Sequence, residues 1–259
     1  MDAKVIELEI SDGYAVIVLN NPPMNVVSAP LTRQLYETLK ALERADSVRA
    51  LILTGAGARA FCAGSDITEL TQMFEPGAAL EKKLIFQNKV FEQLRSFPKP
   101  TIAALNGYVY GGGLEIAVCC DLIVAEAQVK LCLPEIKLGV FPSSGGTYRV
   151  ARRIGEARAK EMVFLGEPIT AAQALAWGLV NRVVDQGTAL ASAREIAQKL
   201  SRGPALALQA AKATIQLAFE RSDAEAVGES LKASDRVFSS ADAKEGISAF
   251  LEKRSANFA

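Results

Sequence analysis

TIAALNGYVYGGGLEIAVCCDLIVA, residues 101–125, holds one complete structural cycle. Thr101 to Leu105 is a short apolar run with strand character, and Asn106-Gly107 is a turn signal. A run of three glycines, Gly111 to Gly113, opens an apolar helix that reaches Cys120, and Leu122 to Ala125 reads as the next strand. Strand, glycine turn, helix and strand with short connections predict an α/β architecture whose sheets are covered by helices.

The same cycle extends on both sides. Val5 to Ile10 alternates in the strand manner up to Asp12-Gly13, and Tyr14 to Leu19 reads as the return strand of a hairpin. Ser28 is an N-cap type followed by Pro30, and Leu31, Leu35, Leu39 and Leu42 recur at helical spacing. Val48 to Leu53 reads as a strand, Phe86 to Phe97 as a helix that stops at Pro98-Lys-Pro100, and Val129 to Leu133 as a further strand. Beyond about residue 145, helix-forming stretches dominate, at 155–165, 170–177, 191–200, 204–219 and 242–254, punctuated by Gly and Pro. The reading is an α/β core over residues 1–195 and a helical C-terminal region over 196–259. The region has too many apolar positions for a free arm, so it is expected to pack on the core or on another subunit.

Composition narrows the chemistry. Of 259 residues, half are hydrophobic and 22% are charged, enough for a large core. Lys plus Arg and Asp plus Glu are 29 each, a balance that points neither to nucleic acid nor to a membrane surface. No apolar run approaches the roughly 18 residues of a membrane span. The N-terminus shows no basic-then-apolar leader, and the four cysteines lack ligand spacing, so a cytoplasmic protein with free thiols is expected. The chain has no histidine, which excludes Ser-His-Asp and Cys-His systems and His-ligated zinc. Carboxylates are then the leading groups for proton transfer near neutral pH, provided burial raises at least one pKa.

Two such carboxylates stand out, Glu115 and Glu135, twenty positions apart. Glu115 follows the glycine run inside an apolar helix, so it is either on a solvated edge or buried with a purpose. Glu135 follows Pro134, read as an extended approach, and is otherwise an ordinary surface acid. The run Gly111-Gly112-Gly113 is either a tight turn or a place where backbone N–H groups meet a ligand. Ala63-Gly64-Ser65-Asp66-Ile67 offers a second such place, or else a plain strand-to-helix turn with Asp66 as N-cap.

Taken together, the segments FCAGSDI (61–67), NGYVYGGGLE (106–115), Cys120-Asp121, LPEIKLG (133–139) and PSSGGT (142–147) resemble the enoyl-CoA hydratase/isomerase (crotonase) superfamily. GEPITAAQA (166–174), WGLVN (177–181) and the closing Lys244 to Phe250 extend the resemblance over essentially the whole chain.

The resemblance implies a spiral of ββα units in two roughly perpendicular sheets, with a helical C-terminal region used in trimerisation, giving a homotrimer or a homohexamer. It implies an acyl-CoA thioester as substrate, with CoA as part of that substrate and no metal or separate cofactor. By motif position, the N–H groups of Ser65 and Gly112 would form the oxyanion hole for a thioester enolate. Ala63, Gly64, Asp66, Ile67, Gly111, Ser143 and Ser144 would bind substrate. Glu115 would activate water, and Glu135 would exchange a proton with the α-carbon. Retention of both acids favours a hydratase over an isomerase, and the alternative is another acyl-CoA reaction of the family: isomerisation, hydrolysis, or hydration of a cyclic or substituted acyl group. One departure stands out. Hydratases of the family typically carry Gly-Ala where this chain has Ser143-Ser144, and two hydroxyls there bear on a polar acyl substituent or on the water. The far wall of the pocket is expected from residues 68–84 and the C-terminal helices. Arg59, Lys253 and Arg254 remain unassigned as partners for CoA phosphate.

Overall fold

The computed structural model describes residues 3–258. Ten strands form two sheets. In chain order the strands are β1 (Ile6–Ser11), β2 (Tyr14–Leu19), β3 (Ala50–Gly55), β4 (Ala60–Cys62), β5 (Thr101–Leu105), β6 (Tyr108–Tyr110), β7 (Leu122–Glu126), β8 (Lys130–Cys132), β9 (Ile169–Thr170) and β10 (Arg182–Val184). The larger sheet has the order β1-β2-β3-β5-β7-β10 and the smaller one β4-β6-β8-β9. From β3 onward each pair of successive strands contributes one strand to each sheet, and the chain then returns for the next pair. That alternation is the expected spiral. Among the described residues, only β1–β2 and β8–β9 pair antiparallel, and every other strand pairing is parallel.

Period-two packing explains the nearly continuous apolar runs of the large sheet. Ile17, Leu19, Leu51, Leu53, Ala103, Leu105, Ile123 and Ala125 face the main core. Their alternates Val16, Ile52, Ile102, Ala104 and Val124 face a second core with Ala189, Ala193 and Ala197. A strand buried on both faces needs apolar residues at every position. The alanines belong to the helix Ala189–Ser201, whose small side chains let it lie close to the sheet and which runs across residue 195.

The remaining helices, with that one as α8, are α1 (Ala29–Glu43), α2 (Ile67–Leu70), α3 (Ile85–Arg95), α4 (Gly112–Ala117), α5 (Gly146–Ile154), α6 (Glu156–Leu165), α7 (Ala171–Trp177), α9 (Ala205–Leu217), α10 (Asp223–Phe238) and α11 (Ala241–Leu251). The Ser28 side chain accepts from the Leu31 N–H at the start of α1, whose buried stripe includes Leu31, Leu35, Leu39 and Leu42. The segment after Pro134 differs from expectation. Pro134–Leu138 is a 3₁₀ turn with Pro134 in its first turn, and the non-helical residue is Leu133 before it.

Candidate active site

Three parallel strands of the small sheet, β4, β6 and β8, each end at a segment singled out above. Residues 63–66 follow β4, Gly111 and α4 follow β6, and the turn bearing Glu135 follows β8. Carboxyl ends of parallel strands are where chain exits leave a crevice, so motifs far apart in sequence meet here.

Glycine is required where these exits touch. A Cβ on Gly113 would collide with the Cys62 carbonyl, which lets the start of α4 lie against the end of β4. Gly111 has φ +50°, and a Cβ there would stand 2.9 Å from Glu135 Oε1. The backbone of the glycine run therefore abuts the carboxyl of Glu135. A Cβ on Gly112 would stand 3.6 Å from the Ser65 nitrogen, so the two candidate donor segments are neighbours.

Both donors are free. The Val27 N–H donates to Gly64 O and the Asp66 N–H to Val27 O, so Val27 binds the residues on either side of Ser65. The Ser65 N–H points the other way, as alternation along an extended segment requires. Gly112 opens α4, where an N–H has no carbonyl in its own helix. Among the described residues, neither N–H has an acceptor.

A cavity of about 470 Å³ lies beside Ser65, lined by Ala63, Gly64, Ser65, Asp66, Ile67, Gly111, Glu115, Glu135, Ser143 and Ser144 among others. Gly112 is not among the lining residues, although its neighbours Gly111 and Ser65 are. Asp66 fills the plain role as well, since its carboxylate accepts from the Thr68 N–H at 2.9 Å and caps α2. The outer wall comes from Leu70, Met73, Phe74, Ala79 and Leu84, as expected for 68–84, whereas no lining residue comes from the C-terminal helices.

The two acids sit in different environments. Glu115 is buried, and its Oε1 accepts from the N–H groups of Ser144 at 2.7 Å and Gly146 at 2.9 Å. Burial raises its pKa, opposed by those two N–H groups and by the Arg149 charge. Glu135 has a buried Oε2 with no partner. Burial lifts its pKa to about 7 against the pull of its own N–H, and the charge of Glu115 adds to the rise. Both carboxyls line one cavity, both are raised by burial, and the charge of Glu115 is felt at Glu135.

Three polar residues of the site go beyond the sequence reading. Lys83 is buried, and its Nζ donates to Val27 O at 3.2 Å and pairs with Glu69 at 3.0 Å, holding the segment that flanks Ser65. Nothing distinguishes it in sequence from a solvated Lys82-Lys83 pair. Gln87 is also buried, and its Nε2 donates to Ser144 Oγ at 2.7 Å. Its signal is spacing: Val90, Phe91 and Leu94 follow at i+3, i+4 and i+7, which puts Gln87 on the apolar stripe. Arg149 donates to Ser144 O at 2.9 Å and pairs with Glu92 at 3.0 Å.

Elsewhere, a cavity of about 480 Å³ lies between α9 and the core. Its cations are committed: Arg95 and Arg149 to Glu92, Arg152 to Glu220, Lys212 to Asp121, and Arg153 to the carbonyls of Val118 and Cys120. Arg254 is paired with Glu245 and Glu252. The four thiols are free and buried, and burial pushes Cys62 and Cys119 up to about 12, so they stay protonated. Among the described residues, no group of three His, Cys, Asp or Glu side chains is placed to hold a metal. No helix among them is long and apolar enough to cross a membrane.

Two N–H groups without acceptors and two carboxyls in unequal surroundings are thus brought to one region of the chain. The chain belongs to the enoyl-CoA hydratase/isomerase family, whose sequence model matches residues 9–259. It is 35% identical to the short-chain-enoyl-CoA hydratase of Clostridium acetobutylicum, over 98% of this chain and 97% of that one. It is 37% identical to the 2,3-dehydroadipyl-CoA hydratase of Escherichia coli, over 97% and 98%. The solved structure of Pseudomonas aeruginosa DspI superposes with a TM-score of 0.93 at 36% identity, covering all of this chain and 98% of that one.

Proposed function

We propose that this protein is an enoyl-CoA hydratase, adding water reversibly to a trans-2-enoyl-CoA to give a 3-hydroxyacyl-CoA. The observation that carries the reading is the meeting of Glu115 and Glu135 at one cavity with the unpaired N–H groups of Ser65 and Gly112.

In this reading the thioester oxygen accepts from Ser65 and Gly112, which draws electron density off the β-carbon. Glu115, oriented through Oε1, takes a proton from water as the water oxygen bonds to the β-carbon. The electron pair of the double bond passes to the thioester oxygen as an enolate, held by the two N–H groups. The α-carbon then takes the proton of Glu135, and the enolate collapses to the thioester. A proton returns from Glu115 to Glu135 before the next turnover. Removal of one donor of this kind typically costs about 3 kcal/mol of barrier.

Ala63, Gly64, Asp66, Ile67 and Gly111 bind substrate through the cavity they line, and Ser143 and Ser144 border its acyl end. The reaction so written needs no metal and no cofactor beyond the CoA of the substrate. Isomerisation, the nearest alternative, needs one acid, whereas two are present. The buried thiols suit a reducing compartment, and we place the protein in the cytoplasm. The division into a core over residues 1–195 and a C-terminal region over 196–259, and assembly as a homotrimer or a dimer of trimers, belong to the same proposal.

The test is to mix the protein with crotonyl-CoA, follow enoyl absorbance and weigh the product. Loss of absorbance with the gain of one water is expected. Product of unchanged mass, or free CoA, would replace hydration with isomerisation or hydrolysis. Glu115→Gln should lower kcat by about 10²–10⁴-fold while retaining affinity for a saturated acyl-CoA.

A further inference from the structure

The Ser143-Ser144 pair, which departs from the family's usual Gly-Ala, is tied to α3. Gln87 Nε2 donates to Ser144 Oγ at 2.7 Å, with Gln87 2% and Ser144 1% exposed. One residue of that contact holds the catalytic loop, because the Ser144 N–H donates to Glu115 Oε1 at 2.7 Å. The neighbouring Asn88 Nδ2 donates to Ser143 O at 3.3 Å. An alanine or glycine at position 144 would leave Gln87 without a side-chain partner there, so the glutamine and the serine have meaning only together. Turning the Gln87 amide over would exchange donor and acceptor and still leave a bond to the hydroxyl, so the link does not depend on that assignment.

We propose that Gln87 is a positioning residue of the hydration reaction, fixing the Ser144 N–H on Glu115 through the Ser144 hydroxyl. The proposal rests on the hydratase reading for its kinetic consequence, but not for its structural one. With the hydroxyl anchored, the N–H stays on Oε1 and the second carboxylate oxygen stays turned to the water. Freed, the loop loses its hold on one of the two donors to that oxygen. Arg149 on α5 is the charged group that bears on Glu115, and Glu115 in turn bears on Glu135 on the turn after β8 and on Cys119 along its own segment. Gln87 itself makes no bond to any of them, and Arg149 stays paired with Glu92, so a change in Glu115 acidity on substitution of Gln87 would report a loosened Ser144. The direction is upward, because a weaker bond to the carboxylate favours its protonated form.

Gln87→Leu and Ser144→Ala, singly and together, make the test. Each single variant should lower kcat by about 10–100-fold with KM for crotonyl-CoA little changed, and should move the acid limb of the pH profile up. The double variant should be no worse than either single one. A raised KM with kcat unchanged, or losses that multiply in the double variant, overturns the proposal. The second readout needs no turnover. Carboxyl ¹³C NMR of protein labelled at glutamate Cδ, with Glu115 assigned by comparison with Glu115→Gln, should show a higher Glu115 pKa in both single variants. An unchanged titration overturns the proposal even if hydration is found. A raised one sustains its structural part, the Ser144 N–H fixed on Glu115 by Gln87, even if crotonyl-CoA is left unhydrated and the hydratase reading falls. If Gln87→Leu fails to fold, Ser144→Ala alone decides, since it removes the same bond.

Discussion

Glu115 and Glu135 are the same side chain in two settings, and the difference between the settings sets the pH range of the reaction. In the proposed reaction, hydration starts with Glu135 protonated and Glu115 ionised, and dehydration with the reverse. Both directions therefore need one proton on the pair, and their pH profiles must share the same two limbs. With Glu135 lifted to about 7, kcat/KM should fall as pH rises past that value, where the shared proton is lost. Glu135→Gln should remove this alkaline limb and lower kcat by about 10²–10⁴-fold; an alkaline limb that survives the substitution would sink the role given to Glu135. Stability gives a check that needs no substrate. A carboxyl whose folded pKa lies above its ordinary 4.5 favours the fold below that value and loses this contribution as pH rises through about 7. Glu135→Gln should therefore gain in melting temperature relative to the unchanged protein between pH 5 and pH 8. A gap that is flat with pH would mean that Glu135 is not held in a desolvated site.

At the scale of elements, the site depends on short strand ends and on one helix that clamps a loop. Gly113→Ala would drive β4 and α4 apart at the Cys62 carbonyl, and backbone on both sides leaves nothing flexible to yield. A loss of about 3 kcal/mol or more in urea unfolding is expected, and a loss under 1 kcal/mol would mean that the two exits are not in close contact. Arg149 spans from Glu92 on α3 to the Ser144 carbonyl, and its charge lowers the pKa of Glu115. Arg149→Met should raise that pKa, seen as an upward shift of the acid limb, and should cost about 1–3 kcal/mol of stability, since Glu92 can turn to solvent but the Ser144 carbonyl cannot. The long strands and α1 are legible from sequence because burial on both faces, or a regular leucine stripe, leaves a continuous pattern. Strands β4, β6 and β9 have three residues or fewer, too few to show a period. Helix α10 has its apolar residues thinly spread, yet Ser222 and Glu225 form a capping box that marks its start. In the site itself, the glycines and both acids are legible because backbone approach and proton transfer restrict residue choice. Lys83 and Arg149 are not, because a cation acting through another residue looks like any solvated one.

For the whole molecule, the C-terminal helices pose a question that the single chain leaves open. No residue of α9 is buried, and α10 and α11 bury only Ala233 and Ala249. Leu231 is 66% exposed, Phe238 73% and Phe250 83%, with Val227, Ile247 and Leu251 also exposed. Isolated chains in solution rarely present so many large apolar side chains on adjacent helices, and zero formal charge offers little repulsion between copies. Self-association through this region answers both points and agrees with the proposed trimer. Light scattering on the eluting protein should then give three or six times the 27.6 kDa of one chain. Leu231→Glu combined with Phe238→Glu should lower that mass, because each places an unpaired charge in an apolar contact, at a cost of several kcal/mol per copy. The core is expected to survive, since neither side chain contributes to it, and far-ultraviolet circular dichroism should show the total helix content retained. A wild-type mass of 27.6 kDa would refute the trimer and leave the apolar faces to a different partner. A trimeric mass that the double substitution leaves intact would move the interface away from α10, to α9 or α11.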